Sequence, residues 1–89
     1  MQQVYIIVSG VVQGVGFRYF ITSWAKKLKV TGWVQNTPDG KVEAILQGDK
    51  QNLKKIVDLC KKGPFLSKVN DLQLKWIKED KKYFNFTIN

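Results

Sequence analysis

The architecture of this 89-residue chain can be worked out from one segment, Val4-Tyr-Ile-Ile-Val-Ser-Gly-Val-Val-Gln-Gly-Val-Gly-Phe-Arg-Tyr-Phe-Ile-Thr-Ser-Trp-Ala-Lys-Lys-Leu28. Val4 to Val8 carries β-forming side chains on both faces, which predicts a central, buried strand. Tyr19 to Leu28 changes to a helical period and predicts an amphipathic helix, whose apolar face is Phe20, Ile21, Trp24, Ala25 and Leu28. The glycine-rich turn Gly10 to Arg18 joins the strand to the helix.

The segment that follows predicts a β-hairpin. Val30 to Gln35 and Lys41 to Gln47 are the two strands, and Thr37-Pro-Asp-Gly40 lies between them. Proline presets φ and glycine accepts a positive φ, so this tetrapeptide is typical of a tight turn.

The rest of the chain predicts a second helix and two more strands. Asp49 is the expected N-cap and Gly63-Pro64 the end of the helix, whose inner face is Leu53, Ile56, Val57 and Cys60. Val69 to Ile77 predicts a fourth strand with Leu72, Leu74 and Trp76 on one face. A last short strand is expected at Phe84, Phe86 and Ile88.

The order β-α-β-β-α-β, with a terminal strand, predicts an α+β fold of the ferredoxin-like, split β-α-β type. An antiparallel sheet would carry both helices on one face. The length leaves no room for a second core, so we expect a single domain spanning residues 1–89.

Composition limits the classes of partner. The net charge is +8, but the lysines are dispersed, which favours solvated surfaces over a dedicated polyanion groove. No apolar run reaches the 18 or more residues of a membrane span, and Met1-Gln-Gln3 lacks the features of a secretory signal. With Cys60 as its only cysteine, the chain is expected to be cytoplasmic and free of disulfides.

Arg18 is the single arginine beside fourteen lysines. Its planar guanidinium can hold a phosphate through two parallel hydrogen bonds, which lysine cannot do. A cation near a helix N-terminus is disfavoured by about 0.3–1 kcal/mol, and a bound anion would reverse that cost. Gly14 and Gly16 would let main-chain amides converge on the anion. The spacing equally allows a plain sharp turn beside a surface cation, and it matches neither a P-loop nor a dinucleotide fingerprint.

Asn36 ends the second predicted strand. Its amide could orient a water molecule, or it could simply cap the adjacent turn, where Asp39 is also expected to be a turn residue. The chain has no histidine, which excludes His-based metal ligation, proton shuttling and nucleophile–histidine pairs. The scattered acids predict no metal site, and Cys60 is expected to be an inert core thiol.

Two of these segments resemble the signatures of the acylphosphatase family. Gly10-Val-Val-Gln-Gly-Val-Gly-Phe-Arg18 matches Gly-x-Val-Gln-Gly-Val-x-[aromatic]-Arg without a mismatch. Gly32-Trp-Val-Gln-Asn36, followed by Gly40, Val42 and Gly48, matches the second signature. Val11 departs from the basic residue that is common at its position in the family.

The resemblance implies a metal-free, cofactor-free hydrolase of small acyl phosphates. Arg18 and the main-chain amides of the loop would bind the phosphoryl group, and Asn36 would position the attacking water. The loop residues carried over in this way are Gln13, Gly14, Val15, Gly16, Phe17 and Arg18. An acyl phosphate suits this set because its carboxylate leaving group has a conjugate acid of pKa about 4 and needs no general acid. The substrate's own phosphate oxygen would accept the proton of the water.

Three alternatives stay open. The first is a basic, ferredoxin-like nucleic-acid-binding module, although the RNA-recognition motif of aromatic residues is missing from the sequence. The second is a phosphate-binding sensor without turnover, and the third is a fragment of a larger carbamoyl-transfer enzyme. A monomer acting on a small molecule, with neither a membrane nor a nucleic acid as partner, is the expected form.

Overall fold

The computed structural model describes residues 1–78 and 81–89, which form five strands and two helices in the predicted order. In chain order the elements are β1 (Gln2–Val11), α1 (Phe17–Lys27), β2 (Thr31–Asn36), β3 (Val42–Gly48), α2 (Lys50–Lys62), β4 (Lys68–Trp76) and β5 (Phe86–Ile88). The strands lie in one sheet in the order β4-β1-β3-β2-β5. The α+β, split β-α-β fold expected from the sequence is therefore confirmed, and β1 has a neighbour on each side.

The sheet is mixed, so the expectation of an antiparallel sheet was wrong at one strand. β1, β2, β3 and β4 pair antiparallel, whereas β5 runs parallel to β2 with Gly32 opposite Phe86. β4 finishes at the end of the sheet where β1 and β2 start, since Trp76 lies opposite Val4, near the start of β1. β5, the next strand along the chain, therefore starts from that end and runs in the same direction as β2. β5 is also shorter than expected, because Phe84 lies outside it and is 85% exposed.

The alternation of buried and less buried residues along β1 shows which face of the sheet forms the core. Val4, Ile6 and Val8 are fully buried on the face that both helices cover. The inner face of α2 is the predicted set, while α1 buries Ile21 and Ala25 and leaves Phe20, Trp24 and Leu28 partly buried against the core. Each fully buried Val, Leu, Ile or Phe stabilises the fold by roughly 1.5–3 kcal/mol.

β4 is an edge strand, and its predicted apolar face is only partly covered. Leu72 packs against the core, but Leu74 and Trp76 are 45% and 41% exposed. No strand of residues 1–78 or 81–89 pairs with the outer edge of β4.

The topology brings two chain segments to the same end of the sheet. β1 and β2 both pair antiparallel with β3, so they run parallel to each other and finish at the same end. The register makes this explicit, since Val42 lies opposite both Val8 of β1 and Asn36 of β2. The loop that follows β1 and the side chain that ends β2 therefore lie close together.

Neither α1 nor α2, the helices of the described residues, combines the length and the apolar character that crossing a membrane requires.

Candidate active site

The loop between β1 and α1 depends on two glycines. Gly14 and Gly16 have φ values of 74° and 82°, in the left-handed region that costs a side chain about 1–2 kcal/mol. Gly16 is the N-cap of α1, and its carbonyl oxygen accepts a hydrogen bond from the Phe20 amide at 2.9 Å. The helix therefore begins at Phe17, two residues earlier than the sequence predicted, and Arg18 lies in its first turn. The amide groups of that turn have no intrahelical partners and can bind an anion.

A cavity of about 160 Å³ opens beside this loop. It collects most of the side chains and glycines that the sequence singled out, and its lining is Val12, Gly14, Gly16, Phe17, Arg18, Tyr19, Asn36 and Ile88. Arg18 and Asn36, which are 18 residues apart in the sequence, thus face one space.

Gln13 and Val15 belong to the same loop but do not line the cavity. The Nε2 atom of Gln13 donates hydrogen bonds to the carbonyl oxygens of Thr37 and Lys41, at 2.8 and 2.9 Å. Val15 is partly buried against the core. The side chains of both residues therefore hold the loop in place, and only their main-chain amides remain as candidates for contact with an anion.

Arg18 is tethered on one side. Its Nη1 atom donates a hydrogen bond to the main-chain oxygen of Asn89 at 3.1 Å. The side-chain ion pairs in the described part of the chain are Lys41 with Asp39 and Lys61 with Asp58, so no side-chain carboxylate there neutralises Arg18. The other N–H donors of the guanidinium are available to a ligand.

Asn36 has a buried acceptor to which none of the described residues donates a hydrogen bond. Its Oδ1 atom has no hydrogen-bond partner among the described residues. A buried polar atom in this state costs about 1–3 kcal/mol, which a purely structural residue would not be expected to impose. The unpaired acceptor favours the interpretation that Asn36 serves a ligand.

The alternative role for Asn36, capping of the hairpin turn, belongs to Thr37 instead. The Thr37 hydroxyl accepts a hydrogen bond from the Lys41 amide at 2.9 Å and donates one to Asp39. That hydrogen bond from Thr37 is the main reason why the pKa of Asp39 lies below its usual value. Asp39 is thus a turn residue, as the sequence predicted.

The remaining candidates for chemistry lie elsewhere or are inert. Residues 1–78 and 81–89 contain no group of three or more His, Cys, Asp or Glu side chains that could hold a metal ion. Cys60 is fully buried, and burial raises the pKa of its thiol to about 12, as expected of a core thiol.

Sequence reasoning missed three lining residues: Val12, Tyr19 and Ile88. Tyr19 directly follows Arg18, so its place in the first turn of the helix was an available signal. Ile88 was assigned to a strand, but its position beside Arg18 depends on the parallel pairing of β5, which the local pattern does not specify.

Comparison with known proteins adds a direct line of evidence. The acylphosphatase family model matches residues 4–88, nearly the whole chain. The chain belongs to the acylphosphatase family. An acylphosphatase of Bacillus licheniformis is 45% identical over 89 residues, which is 100% of this chain and 99% of that protein.

Structural relatives of the acylphosphatase family agree. The crystal structure of the Bacillus subtilis acylphosphatase superposes with a TM-score of 0.96 at 42% identity and covers 100% of this chain and 99% of its own. HypF of T. kodakarensis matches with a TM-score of 0.86 at 30% identity. That match covers 100% of this chain but 12% of HypF, so the acylphosphatase fold also occurs within much longer chains.

Proposed function

We propose that this chain is an acylphosphatase that hydrolyses the carboxyl–phosphate bond of small acyl phosphates to a carboxylate and inorganic phosphate. The observation that carries the proposal is that Arg18, Asn36, Gly14 and Gly16 line one cavity of about 160 Å³. Membership of the acylphosphatase family supports the same activity.

The phosphoryl group would be held by Arg18 and by the main-chain amides of residues 13 to 18. Phosphoryl transfer passes through a loose transition state whose charge is spread over the equatorial oxygens. A forked cation and a set of fixed amide donors stabilise such a charge without reorganising, which is the largest contribution that a site of this kind can make.

Asn36 would position the attacking water. Its unpaired Oδ1 is an acceptor suited to a water O–H, and Asn36 lines the cavity that would hold the phosphoryl group. The water oxygen then bonds to phosphorus, the P–O bond to the acyl group breaks, and the carboxylate departs with the electron pair. The proton of the water passes to a phosphoryl oxygen of the substrate.

We infer that the reaction uses neither a metal ion nor a cofactor. The chain has no histidine, and the carboxylate leaving group makes an acid or a Lewis acid unnecessary. We also propose that residues 1–89 act as one domain, as a monomer and in the cytoplasm.

A nucleic-acid-binding module is the second candidate, and the open face of the sheet argues against it. Glu43 lies in the middle of that face, where Tyr5 donates to one carboxylate oxygen at 2.8 Å and Gln35 to the other at 2.9 Å. A fixed carboxylate repels a phosphate backbone, and this one binds the hydroxyl of Tyr5, an aromatic residue of the same face on which a base would have to stack.

The deciding experiment is hydrolysis of benzoyl phosphate by the purified chain in the presence of a chelator, beside Arg18→Lys. Lysine keeps the charge but loses the fork, so kcat/KM should fall by at least about 10²-fold, in the range seen when one oriented donor to a transition-state anion is removed. Lys27→Arg, at the C-terminal end of α1, is the control that exchanges the same two residue types away from the cavity, and it should leave kcat/KM unchanged.

Each outcome has a distinct meaning. Chelator-resistant turnover that depends on Arg18 supports the proposed activity. Absence of turnover, with inorganic phosphate still raising the unfolding temperature, would instead support a phosphate sensor. A salt-sensitive shift with RNA and no hydrolysis would support the nucleic-acid module.

A further inference from the structure

Two large, mostly apolar side chains at the edge of the cavity are exposed to solvent. Tyr19 is 74% exposed and Ile88 is 42% exposed, and both line the cavity that contains Arg18. Other exposed apolar residues, such as Phe65 and Phe84, do not line it. We propose that Tyr19 and Ile88 form an apolar rim that receives the acyl group, so that the enzyme prefers acyl phosphates with a neutral, apolar acyl group. This rests on the proposed function.

The position of the rim follows from the tether between α1 and β5. The hydrogen bond from Arg18 to Asn89 joins the first turn of α1 to the end of β5. Tyr19 follows Arg18 and Ile88 precedes Asn89, so the two apolar side chains lie next to the residues that this bond connects. The acyl group of an acyl phosphate bound through Arg18 would therefore lie close to the side chains of Tyr19 and Ile88.

The volume of the cavity indicates which part of the substrate meets the rim. A cavity of about 150 Å³ holds one benzene-sized molecule, and this one measures about 160 Å³. The phosphoryl group and the adjoining carboxyl group occupy a space of that order. The rest of the acyl group must extend to the mouth, where Tyr19 and Ile88 offer it apolar contact.

The charges of the lining set the preference against anionic acyl groups. Arg18 is the only cationic side chain among the described residues that line the cavity, and it is committed to the phosphoryl group. A second phosphate or carboxylate on the acyl group would lose solvation at the apolar rim without gaining a cation, which is unfavourable. A ring or an alkyl group carries no charge to desolvate, and burial of its apolar surface against the rim favours binding.

The test is the ratio of kcat/KM for benzoyl phosphate to that for acetyl phosphate in the wild-type protein, Tyr19→Ser and Ile88→Thr. Because one lost apolar contact changes discrimination about tenfold at least in a closed pocket, and less at an open mouth, each variant should lower the ratio by about three- to tenfold. The inhibition constant of inorganic phosphate, which does not reach the rim, should stay within about twofold. Tyr19→Phe should restore the ratio, and Phe65→Ser, which removes an aromatic residue that is 99% exposed elsewhere, should not change it.

The outcomes separate this inference from the proposed function. If the wild-type protein hydrolyses both substrates and neither variant changes the ratio, the rim is wrong while the acylphosphatase activity stands. If the wild-type protein hydrolyses neither substrate, the proposed function fails and the rim fails with it. Since Tyr19 lies on the helix surface, Tyr19→Ser should fold and decide the question even if Ile88→Thr weakens β5.

Discussion

The side-chain Nε2 of Gln13 donates a hydrogen bond of 2.8 Å to the carbonyl oxygen of Thr37, 24 residues away. The same atom donates to the carbonyl oxygen of Lys41 at 2.9 Å. One amide group thus fastens the anion-binding loop to the turn that begins directly after Asn36. The two halves of the candidate site are held in register by a residue that does not line the cavity.

Replacing Gln13 by Leu tests this connection. The variant keeps the bulk of the side chain but removes one of the two donors to each carbonyl oxygen, since Thr37 still accepts from the Gly40 amide and Lys41 from the Thr37 amide. The free energy of unfolding should therefore fall by about 0.5–1.5 kcal/mol. Misalignment of the loop and Asn36 should also lower kcat/KM by about ten- to hundredfold, because small displacements in a positioned site are costly. Urea unfolding and steady-state kinetics with benzoyl phosphate measure the two effects.

Gln35→Leu is the control for Gln13→Leu. Gln35 also donates a hydrogen bond in a partly buried position, but to Glu43 on the open face of the sheet. It should lose stability and keep its kcat/KM when assayed well below its unfolding temperature. If the two variants lost activity in equal measure, Gln13 would have only a general stabilising role.

Asn36→Ala should separate activity from stability. The substitution removes the amide that is proposed to hold the water, so we expect kcat to fall by about 10²–10³-fold while the inhibition constant of inorganic phosphate changes little. It also removes the unpaired, buried Oδ1. The free energy of unfolding should therefore hold its value or rise by about 1 kcal/mol, instead of falling as most substitutions make it fall.

Asn52→Ala is the control for Asn36→Ala, and we expect it to have the opposite effects on stability and activity. The Asn52 side chain donates to the carbonyl oxygen of Leu28 at 3.2 Å and has no place in the cavity. It should lose stability and retain activity. An Asn36→Ala protein that turned over at the wild-type rate would remove Asn36 from the mechanism.

The order of the elements and the candidate site residues could be predicted from the sequence, because both depend on short-range pattern. The inner face of α2 follows from helical spacing alone. Of the signature residues, Arg18 lies near the start of a helix and Asn36 at the end of a strand, and both positions can be read from the local sequence. What could not be predicted depends on contacts between distant segments. The pairing of β5 with β2 and the hydrogen bonds of Gln13 to the hairpin join residues that no local period relates. The lack of a partner at Asn36 likewise becomes visible only when every neighbour has been placed.

The packing of Gly63 against Phe17 leads to another prediction. Gly63 ends α2 at a φ of 73°, and a Cβ built there would meet Ser67 Oγ and come within 2.7 Å of Phe17 Cε2. Gly63→Ala should therefore combine backbone strain with overpacking and lower the free energy of unfolding by about 2–6 kcal/mol. Since Phe17 precedes Arg18, its displacement should also lower kcat/KM. Urea unfolding and the benzoyl phosphate assay measure both effects.

Gly40→Ala isolates the contribution of strain. Gly40 has a φ of 88°, but a Cβ there would meet nothing within 4 Å. The loss should be limited to about 1–2 kcal/mol. Equal losses at Gly40 and Gly63 would mean that the contact with Phe17 relaxes without cost.

Tyr5 should make the stability of the fold sensitive to alkaline pH. Burial raises the pKa of its phenol from 10.0 to about 12, and the hydrogen bond to Glu43 and the negative charge of Glu43 add to the effect. Above pH 10 the unfolded chain releases this proton while the folded protein retains it, so the unfolded state gains stability. The contribution of Tyr5 is thus complete below pH 10 and is lost as the pH rises through about 12.

Comparison with Tyr5→Phe isolates this contribution, because every other group that ionises at alkaline pH is the same in the two proteins. At pH 8 the variant should be less stable by about 1 kcal/mol, since Glu43 loses a hydrogen bond. The gap between the two proteins, measured by urea unfolding from pH 8 to pH 11.5, should narrow above pH 10 because only the wild-type protein carries the Tyr5 phenol. A gap that stayed constant over this range would mean that Tyr5 ionises equally easily in the folded and unfolded states, and the hydrogen bond to Glu43 would then carry no linkage to pH.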